Sequence, residues 1–274
     1  MIIETLHLTQ FIDFLKPRPR DAHKGLYGHV LIVGSDEGFS GASRMAAEAA
    51  LRVGAGLVSV ATRPDVAVTL NVSRPEIMSH GVRTVKMLKP LLKRATVVGI
   101  GPGLGTSVWA KSLFQAVLKS KKPLIVDADA LNLLASKPCR HEEWILTPHP
   151  GEAARLLKMK TEEIQRDRMS ALKKLQEKYG GVCVLKGNNS LIAGPKNQMA
   201  RCDAGNPGMA TGGMGDILTG VIAGLVAQGL PLINAAKLGV LVHAKAGDLA
   251  RMDGERGMIA TDLLPYLRQL MNTK

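Results

Sequence analysis

One carboxylate in this sequence follows an unusual concentration of glycines. Asp216 ends the segment GNPGMATGGMGD (205–216) and precedes a long stretch without charge. The glycines at 212, 213 and 215 have no Cβ atoms to keep backbone N–H groups from converging on an anion. The apolar run that follows predicts a helix, whose N-terminal dipole favours negative charge. A carboxylate at such an anion site is suited to take a proton from an attacking hydroxyl during phosphoryl transfer, although an Asp that only caps the helix is the alternative.

The rest of the chain predicts the scaffold that would hold this carboxylate. Strand-like runs such as HVLIVG (29–34) and LVSVAT (57–62) alternate with helical segments, and the C-terminal part is mainly helical. Several strands are continuous apolar runs, which is typical of a sheet buried on both faces. This alternation predicts an α/β fold with a mainly parallel sheet sandwiched between helices. We expect one domain over residues 1–274.

The loops that follow the predicted strands share one composition. In a parallel sheet such loops gather at the carboxyl ends of the strands and build the site. All six are rich in glycine, hydroxyls, Asp, His or Lys: GSDEGFSGAS, GIGPGLGTS, DADALN, TPHPGE, KGNNS and the segment that contains Asp216. We therefore expect one site at this edge.

Two common nucleotide-binding loops are missing. GSDEGFSGAS has no Lys after its glycines, as a P-loop requires. The dinucleotide fingerprint needs glycine at its sixth position, where this chain has Leu104 counted from Gly99 and Thr106 counted from Gly101. A P-loop enzyme and a hydride-transferring Rossmann enzyme are both disfavoured.

The composition favours a small anionic partner. The formal net charge is +13, but aromatic residues make up only 3% of the chain, too few for a surface that stacks bases. The basic runs KPRPR and KSKKP are short and indicate solvated loops. Phosphorylated metabolites therefore fit better than nucleic acid, although a non-catalytic nucleotide- or nucleic-acid-binding module stays open as an alternative.

Cysteine and hydropathy patterns bear on the compartment. The chain has three widely spaced cysteines, Cys139, Cys183 and Cys202. Without a CxxC motif they indicate neither a zinc site nor a disulfide framework, so we expect a reducing cytoplasm. The uncharged stretch 217–236 is interrupted by Gly229 and Pro231, which predicts a buried helix and not a membrane span. The N-terminus has no signal-peptide pattern.

The motifs together carry a resemblance. GGMGD followed by ILTGVIAGL resembles the anion-hole and base motif of the ribokinase-like fold. The ordered series GHVLIVGSDEGFSGAS, VVGIGPGLG, LIVDADALNLL, LTPHPGEAARLL, VLKGNNSLIAGP and GNPGMATGGMGD is similar to the ADP/ATP-dependent NAD(P)H-hydrate dehydratases, over roughly residues 20–270. Those enzymes phosphorylate the hydroxyl of the hydrated nicotinamide ring of NADH or NADPH, and loss of phosphate restores the double bond. A kinase of the same fold, acting on a vitamin precursor or a sugar, is the alternative.

This resemblance implies roles for individual residues. Asp216 would be the catalytic base, with Gly213, Met214 and Gly215 around the anion hole, and Met214 stands where the family often has a smaller residue. The nucleotide-binding positions would be Lys186, Gly187, Asn188, Asn189, Ser190 and Gly215. The substrate-binding positions would be Ala42, Gly103, Gly105, His149 and Asp216, with Asn206 and Thr211 as weaker candidates near the base.

The resemblance also implies a cofactor and partners. Mg²⁺ would be held through nucleotide phosphates and water, so no direct metal ligand is assigned. Asp127, Asp129, Asn132 and Glu152 could face that water shell, but the first two could equally cap a helix. The expected partners are ADP or ATP and hydrated NADH or NADPH, with no nucleic acid and no membrane. A homotetramer is expected, and a separate epimerase of the same pathway, because the chain is too short to include one.

Overall fold

A computed structural model describes residues 3–70, 72 and 74–272. Within these residues the strands form a single sheet of ten members. They are β1 (Glu4–Thr5), β2 (His29–Val33), β3 (Leu57–Thr62), β4 (Met78–Gly81), β5 (Val97–Ile100), β6 (Leu124–Val126), β7 (Trp144–Leu146), β8 (Val182–Leu185), β9 (Ser190–Ala193) and β10 (Met199–Cys202).

The sheet confirms the predicted architecture and adds strands to it. The strand order is β1-β10-β9-β8-β7-β6-β5-β2-β3-β4, and all pairs are parallel except β8–β9 and β9–β10. Strands β1, β4 and β10 were not predicted. Their sequences, ET, MSHG and MARC, are too short or too polar to read as buried strands, and pairing at or near the sheet edges forms them instead.

Helices cover both faces of the sheet. They are α1 (Ser40–Arg52), α2 (Pro64–Leu70), α3 (Val85–Arg94), α4 (Val108–Leu118), α5 (Ala128–Ser136), α6 (Pro150–Leu157), α7 (Thr161–Arg166), α8 (Arg168–Tyr179), α9 (Met214–Ala227), α10 (Leu232–Ala250) and α11 (Leu263–Leu270). Buried side chains of α1, α2 and α9–α11 share one core with the sheet, and those of α3–α8 share the other. Strand β2 shows why its run is continuously apolar: Val30 and Ile32 enter the first core, and Leu31 and Val33 the second.

The packing of α9 against α1 fixes the position of Asp216. A Cβ on Gly220 would lie 1.9 Å from the carbonyl oxygen of Ala46, and one on Gly224 would lie 2.5 Å from Cγ2 of Val53. These glycines, one turn apart, allow the two helices to approach closely, so the start of α9 is set against α1. The predicted helix break is confirmed, because α9 ends at Ala227 and α10 begins at Leu232. Among the described helices, none is long and apolar enough to cross a membrane.

Candidate active site

The six predicted loops meet at the carboxyl edge of the sheet. The N–H of Asp36 donates to the carbonyl of Gly103 at 2.6 Å, which joins the first loop to the second. The N–H of Gly105 donates to Oδ2 of Asp129 at 2.8 Å, and the N–H of Lys186 donates to the carbonyl of Pro148 at 2.9 Å. The prediction that these loops gather at one edge is confirmed.

Asp216 lies in the first turn of α9. The helix has Gly213 as its N-cap, in a left-handed conformation (φ +92°) that a residue with a Cβ rarely adopts. The first intrahelical bond is donated by Ile217 to Gly213, which leaves the N–H groups of Met214, Gly215 and Asp216 without partners inside the helix. Because Gly213 is the N-cap, the capping alternative for Asp216 is wrong. Unpaired N–H groups at a helix N-terminus favour an anion.

A cluster of paired charges lies next to this turn. Nζ of Lys186 is 2.6 Å from Oδ1 of Asp127 and 3.9 Å from Oε2 of Glu152. The other oxygen of Asp127 accepts from the hydroxyl of Thr219 at 2.9 Å. All four side chains are largely or fully buried. Asp127 is the N-cap residue of α5 but its side chain makes no capping bond, so the proposal that it only caps a helix is wrong.

Burial and mutual repulsion perturb the acids of this cluster. Burial, followed by the neighbouring Asp127 carboxylate, raises the pKa of Asp216 to about 7, and Lys186 opposes part of that rise. Burial likewise raises the pKa of Glu152 to about 7, again against the attraction of Lys186. Burial alone would lower the pKa of Lys186, but the carboxylates of Asp127 and Glu152 outweigh it and raise that pKa. Lys186 is therefore charged at neutral pH, whereas Asp216 can bind or release a proton.

His149 is the N-cap of α6 and not a free loop histidine. Its ring Nδ1 accepts from the backbone N–H of Gly151 at 3.0 Å. The backbone N–H of His149 donates to Oε2 of Glu152 at 2.8 Å. A ring nitrogen that accepts carries no proton, so the neutral tautomer has its proton on Nε2. Burial and then the charge of Lys186 lower the pKa of His149, which agrees with this neutral form. Nε2 lies 3.5 Å from Oε1 of Glu152, and the side chain of His149 is about half exposed at the site.

Two adjoining cavities occupy this edge. The smaller, of about 390 Å³, is lined by some residues of the predicted catalytic, nucleotide and substrate sets, namely His149, Lys186, Gly187, Gly213, Gly215 and Asp216. Its other lining residues are Asp127, Ala128, Pro150, Glu152 and Met214. The larger, of about 620 Å³, shares Lys186, Gly187, Met214 and Gly215 with it. Its other walls come from the KGNNS turn, residues 204–210 and α10, and are mainly apolar. Such a pair suits a base and sugar in one cavity and phosphates in the other.

The KGNNS turn joins β8 to β9 and is organised by one arginine. NH2 of Arg168 donates to the carbonyl of Leu185 at 3.2 Å, and NH1 of the same residue donates to the carbonyl of Asn188. Lys186, Gly187, Asn188 and Ser190 line the larger cavity. Asn189, at φ +54°, lies in the turn but does not line this cavity.

The predicted substrate residues fall into two groups. His149 and Asp216 line the smaller cavity, whereas Ala42, Gly103 and Gly105 line neither of the two cavities. A Cβ on Gly103 would lie 2.8 Å from Cβ of Phe39 and 3.1 Å from Cβ of Ala42, so this loop packs closely against the start of α1. The N–H of Gly105 bonds to the carboxylate of Asp129. The negative charge of Asp129 also raises the pKa of Asp216, so Gly105 is linked to the charged cluster through Asp129.

Some residues at this edge were not predicted. Nε2 of His243 donates to the carbonyl of Met214 at 2.9 Å and thereby supports the start of α9; burial lowers its pKa to about 4. Asp248 accepts from the N–H of Gly205 and from Nδ2 of Asn206, both at 3.0 Å, and so anchors the loop before Asp216. Arg168 and Thr219 were also missed. His243, Asp248 and Arg168 lie in helices remote from the glycine-rich loops, so no local motif indicated them. Thr219 lies within the quoted run ILTGVIAGL, but only the structure shows its contact with Asp127.

The weaker candidates of the sequence analysis, Asn132, Asn206 and Thr211, lie outside the charged cluster around Lys186. Asn132 accepts from Arg155 at 2.8 Å through its side-chain oxygen, and its Nδ2 lies 3.5 Å from Oδ1 of Asp129. Asn206 caps a 3₁₀ turn at Pro207–Met209 while it contacts Asp248. Thr211 is exposed in the loop before α9.

The carboxylates at this edge are compatible with a Mg²⁺ ion that is bound through nucleotide phosphates and water. In the described part of the chain no group of three or more His, Cys, Asp or Glu residues could hold a metal ion by itself. Both oxygens of Asp127 already accept hydrogen bonds, and Oε2 of Glu152 accepts from His149. A hard cation that keeps most of its water and binds through nucleotide phosphates is compatible with such an arrangement, with Asp127 and Glu152 on the cavity wall.

Comparisons with known proteins agree with this geometry. The model of a family described as NAD(P)H-hydrate dehydratase matches residues 30–269. The chain belongs to the NAD(P)H-hydrate dehydratase family. A bifunctional NAD(P)H-hydrate repair enzyme of Coxiella burnetii is 60% identical over 259 residues, which cover 94% of this chain and 53% of that protein. The chain thus spans about half the length of this relative.

Solved structures support the same membership. A ribokinase-like superfamily protein of Enterococcus faecalis superposes with a TM-score of 0.91 at 30% identity, over 98% of this chain and 95% of that one. An ADP/ATP-dependent NAD(P)H-hydrate dehydratase of Bacillus subtilis, co-crystallised with ATP and Mg²⁺, superposes with a TM-score of 0.88 at 29% identity, over 98% of both chains. The predicted ribokinase-like fold and the family resemblance are confirmed.

Proposed function

We propose that this chain dehydrates hydrated NADH and NADPH to the intact cofactors at the expense of ADP or ATP, as a metabolite-repair enzyme. The observation that carries the proposal is the position of Asp216, with its pKa raised to about 7, in the first turn of α9 beside Gly213 and Gly215. Family membership supports this chemistry over other phosphoryl transfers. The reaction class is a carbon–oxygen lyase that consumes a nucleotide.

In the first step Asp216 acts as general base. Its carboxylate takes the proton of the ring hydroxyl, and the hydroxyl oxygen forms a bond to the terminal phosphorus of the nucleotide. The bond from that phosphorus to the bridging oxygen breaks, so ADP leaves as AMP or ATP leaves as ADP. A pKa near 7 suits a base that must accept a proton and later give it up at neutral pH.

The phosphoryl group would be held by the free N–H groups at the start of α9. The N–H groups of Met214, Gly215 and Asp216 and the dipole of α9 favour negative charge there. Lys186 adds a charged ammonium that Asp127 and Glu152 hold in place, and the KGNNS turn, Lys186 to Ser190, presents backbone to the nucleotide. Gly215 lies between the start of α9 and Lys186, since a Cβ there would be 3.1 Å from Nζ of Lys186. It would therefore contact both the transferred phosphoryl group and the nucleotide.

In the second step the phosphorylated ring loses phosphate. The bond from carbon to the phosphorylated oxygen breaks, phosphate leaves with the electron pair, and a proton lost from the adjacent carbon restores the double bond. Ala42, Gly103 and Gly105 would hold the dinucleotide, and the Nε2–H of His149 would donate to it. Mg²⁺, bound with the nucleotide, would neutralise charge on the transferred group.

We also propose, from the family resemblance, a cytoplasmic homotetramer that works beside an epimerase of the same pathway and binds neither nucleic acid nor membrane. The bifunctional relative supports a link between two repair activities. Light scattering behind size-exclusion chromatography measures the assembly directly.

The deciding assay mixes the purified protein with hydrated NADH, Mg²⁺ and ADP, and then with ATP. Recovery of nicotinamide absorbance in step with phosphate release, absent in Asp216→Asn, supports the dehydratase. A stable phosphorylated product would mean a kinase instead. No turnover in protein that still binds ADP would reject the proposal.

A further inference from the structure

A basic cavity lies between α3 and α4, away from the active site. Its volume is about 690 Å³, within the range of small-molecule sites. Four lysines line it: Lys89, Lys93, Lys119 and Lys122. The remaining lining residues are Val85, Leu92, Ser112, Gln115, Ala116 and Ser120, so no acid and no aromatic residue is among them.

The cavity brings together two segments that are separate in sequence. Val85, Lys89 and Lys93 repeat at four-residue spacing and share one face of α3. Ser112 and Gln115 lie in α4, Lys119 is the C-cap of that helix, and Lys119 and Lys122 both belong to the run KSKKP. That run was expected to be a solvated loop. Lys119 and Lys121 are exposed outside helices and strands, as that expectation requires, and the fold also sets the run beside the lysines of α3.

The four ammonium groups have no acidic partner. None of them makes an ion pair or a side-chain hydrogen bond within the described residues, whereas Lys186 and Lys237 each pair with a carboxylate. The C-terminal ends of α3 and α4 offer some compensation, but each helix end amounts to about half a negative charge. About three positive charges therefore stay uncompensated around one cavity.

Two uncharged polar side chains complete the wall of the cavity. Ser112 and Gln115 add a hydroxyl and an amide to the same wall.

We propose that this cavity binds a small molecule that carries several phosphoryl groups. Lysine ammonium groups bind phosphate as point charges, and three or four of them match the charge of a di- or triphosphate. The concave shape favours a compact ligand over a polynucleotide, and no ring in the lining could stack on a base. The site is at the opposite edge of the sheet from Asp216, because α3 and α4 end just before β5 and β6 begin.

Inorganic tripolyphosphate is the probe, titrated calorimetrically into the full chain with excess AMP, which fills the nucleotide site but carries only one phosphoryl group. The variant Lys93→Gln/Lys122→Gln removes two of the four charges. Its matched control, Lys174→Gln/Lys196→Gln, changes the net charge equally at exposed positions elsewhere. We expect one tripolyphosphate site in the unmodified chain, about tenfold weaker in the cavity variant and within about twofold in the control.

A second measurement does not depend on the variants. Acetylation of lysines, followed by mass spectrometry, reports which ammonium groups the probe protects. Protection of Lys89, Lys93, Lys119 and Lys122, but not of Lys174, supports the site. Equal weakening in both variants, no binding with AMP present, or tighter and length-dependent binding of a DNA oligonucleotide would each overturn the proposal.

Discussion

The two edges of the sheet handle charge in opposite ways. At the carboxyl edge the largely buried Nζ of Lys186 lies 2.6 Å from the carboxylate of Asp127 and 3.9 Å from that of Glu152. At the amino edge Lys89, Lys93 and Lys119 are exposed and unpaired within the described residues. Charges that are buried together shift one another's proton affinities, whereas exposed charges mainly attract mobile ions. The net charge of +13 therefore says little about the catalytic edge, where several acids surround one lysine.

The largest effect should come from the base itself. Asp216→Asn keeps the shape of the side chain but cannot accept a proton, so we expect turnover of hydrated NADH to fall on the order of 10³-fold. Asp21→Asn, at an exposed position, is the matched control and should leave turnover unchanged. Turnover of Asp216→Asn within about tenfold of the unmodified chain would remove Asp216 from this role.

Breaking a buried ion pair should lower the free energy of unfolding far more than breaking an exposed one. Lys186→Met leaves Asp127, which is 1% exposed, without its counter-ion, and we expect the free energy of unfolding to fall by about 3–5 kcal/mol. Lys173→Met breaks an exposed pair with Glu177 at 3.8 Å and should cost less than about 0.5 kcal/mol. Urea unfolding of both variants measures the difference, and equal losses would contradict the contrast between the edges.

Activity and stability should respond to pH with opposite signs. Since the pKa of Asp216 is about 7, kcat/KM should rise with pH through about 7 as the base loses its proton. The same carboxyl has an ordinary pKa of 3.8, so the folded state binds its proton more tightly than the unfolded chain does. Its contribution to stability is present below about pH 4 and is lost as pH rises through about 7.

Asp216→Asn isolates this contribution from that of Glu152, whose pKa is also about 7. The variant should lose less stability than the unmodified chain between pH 4 and pH 8, by on the order of 2 kcal/mol. Urea denaturation at several pH values gives both curves. Parallel curves would mean that Asp216 ionises as an ordinary surface acid.

The smallest expected effect is on KM, and it distinguishes His149, which we expect to bind substrate, from His23, which only caps a turn. Nδ1 of His23 accepts from the N–H of Gly25 at 3.2 Å, much as His149 accepts from Gly151, but it starts a 3₁₀ turn away from the site. His149→Ala and His23→Ala should each cost about 1 kcal/mol or less of stability. Only His149→Ala should also raise KM for hydrated NADH, by about three- to tenfold. An unchanged KM would leave His149 as a helix cap alone.

The sequence predicted much of the scaffold for a simple reason. Buried parallel strands such as HVLIV and VVGI are apolar on both faces, and glycine-rich loops interrupt them, so the alternation was visible without any tertiary information. The same logic failed for β4 and β10, whose pairing depends on neighbours in the sheet. Asp127 was left undecided between a cap and a site residue because both roles place an acid after a strand.

What the sequence determined by itself was local: the order of elements, the glycine-rich start of α9 with Asp216 in its first turn, and the family resemblance that the comparisons confirm. What only the tertiary structure decided was which charges meet. Lys186 reaches Asp127 across 59 residues, and Thr219 reaches it across 92. Proton affinity depends on burial and on charges a few ångströms away, and chain spacing specifies neither. The lysine cavity between α3 and α4 likewise exists only because the sheet sets those two helices side by side.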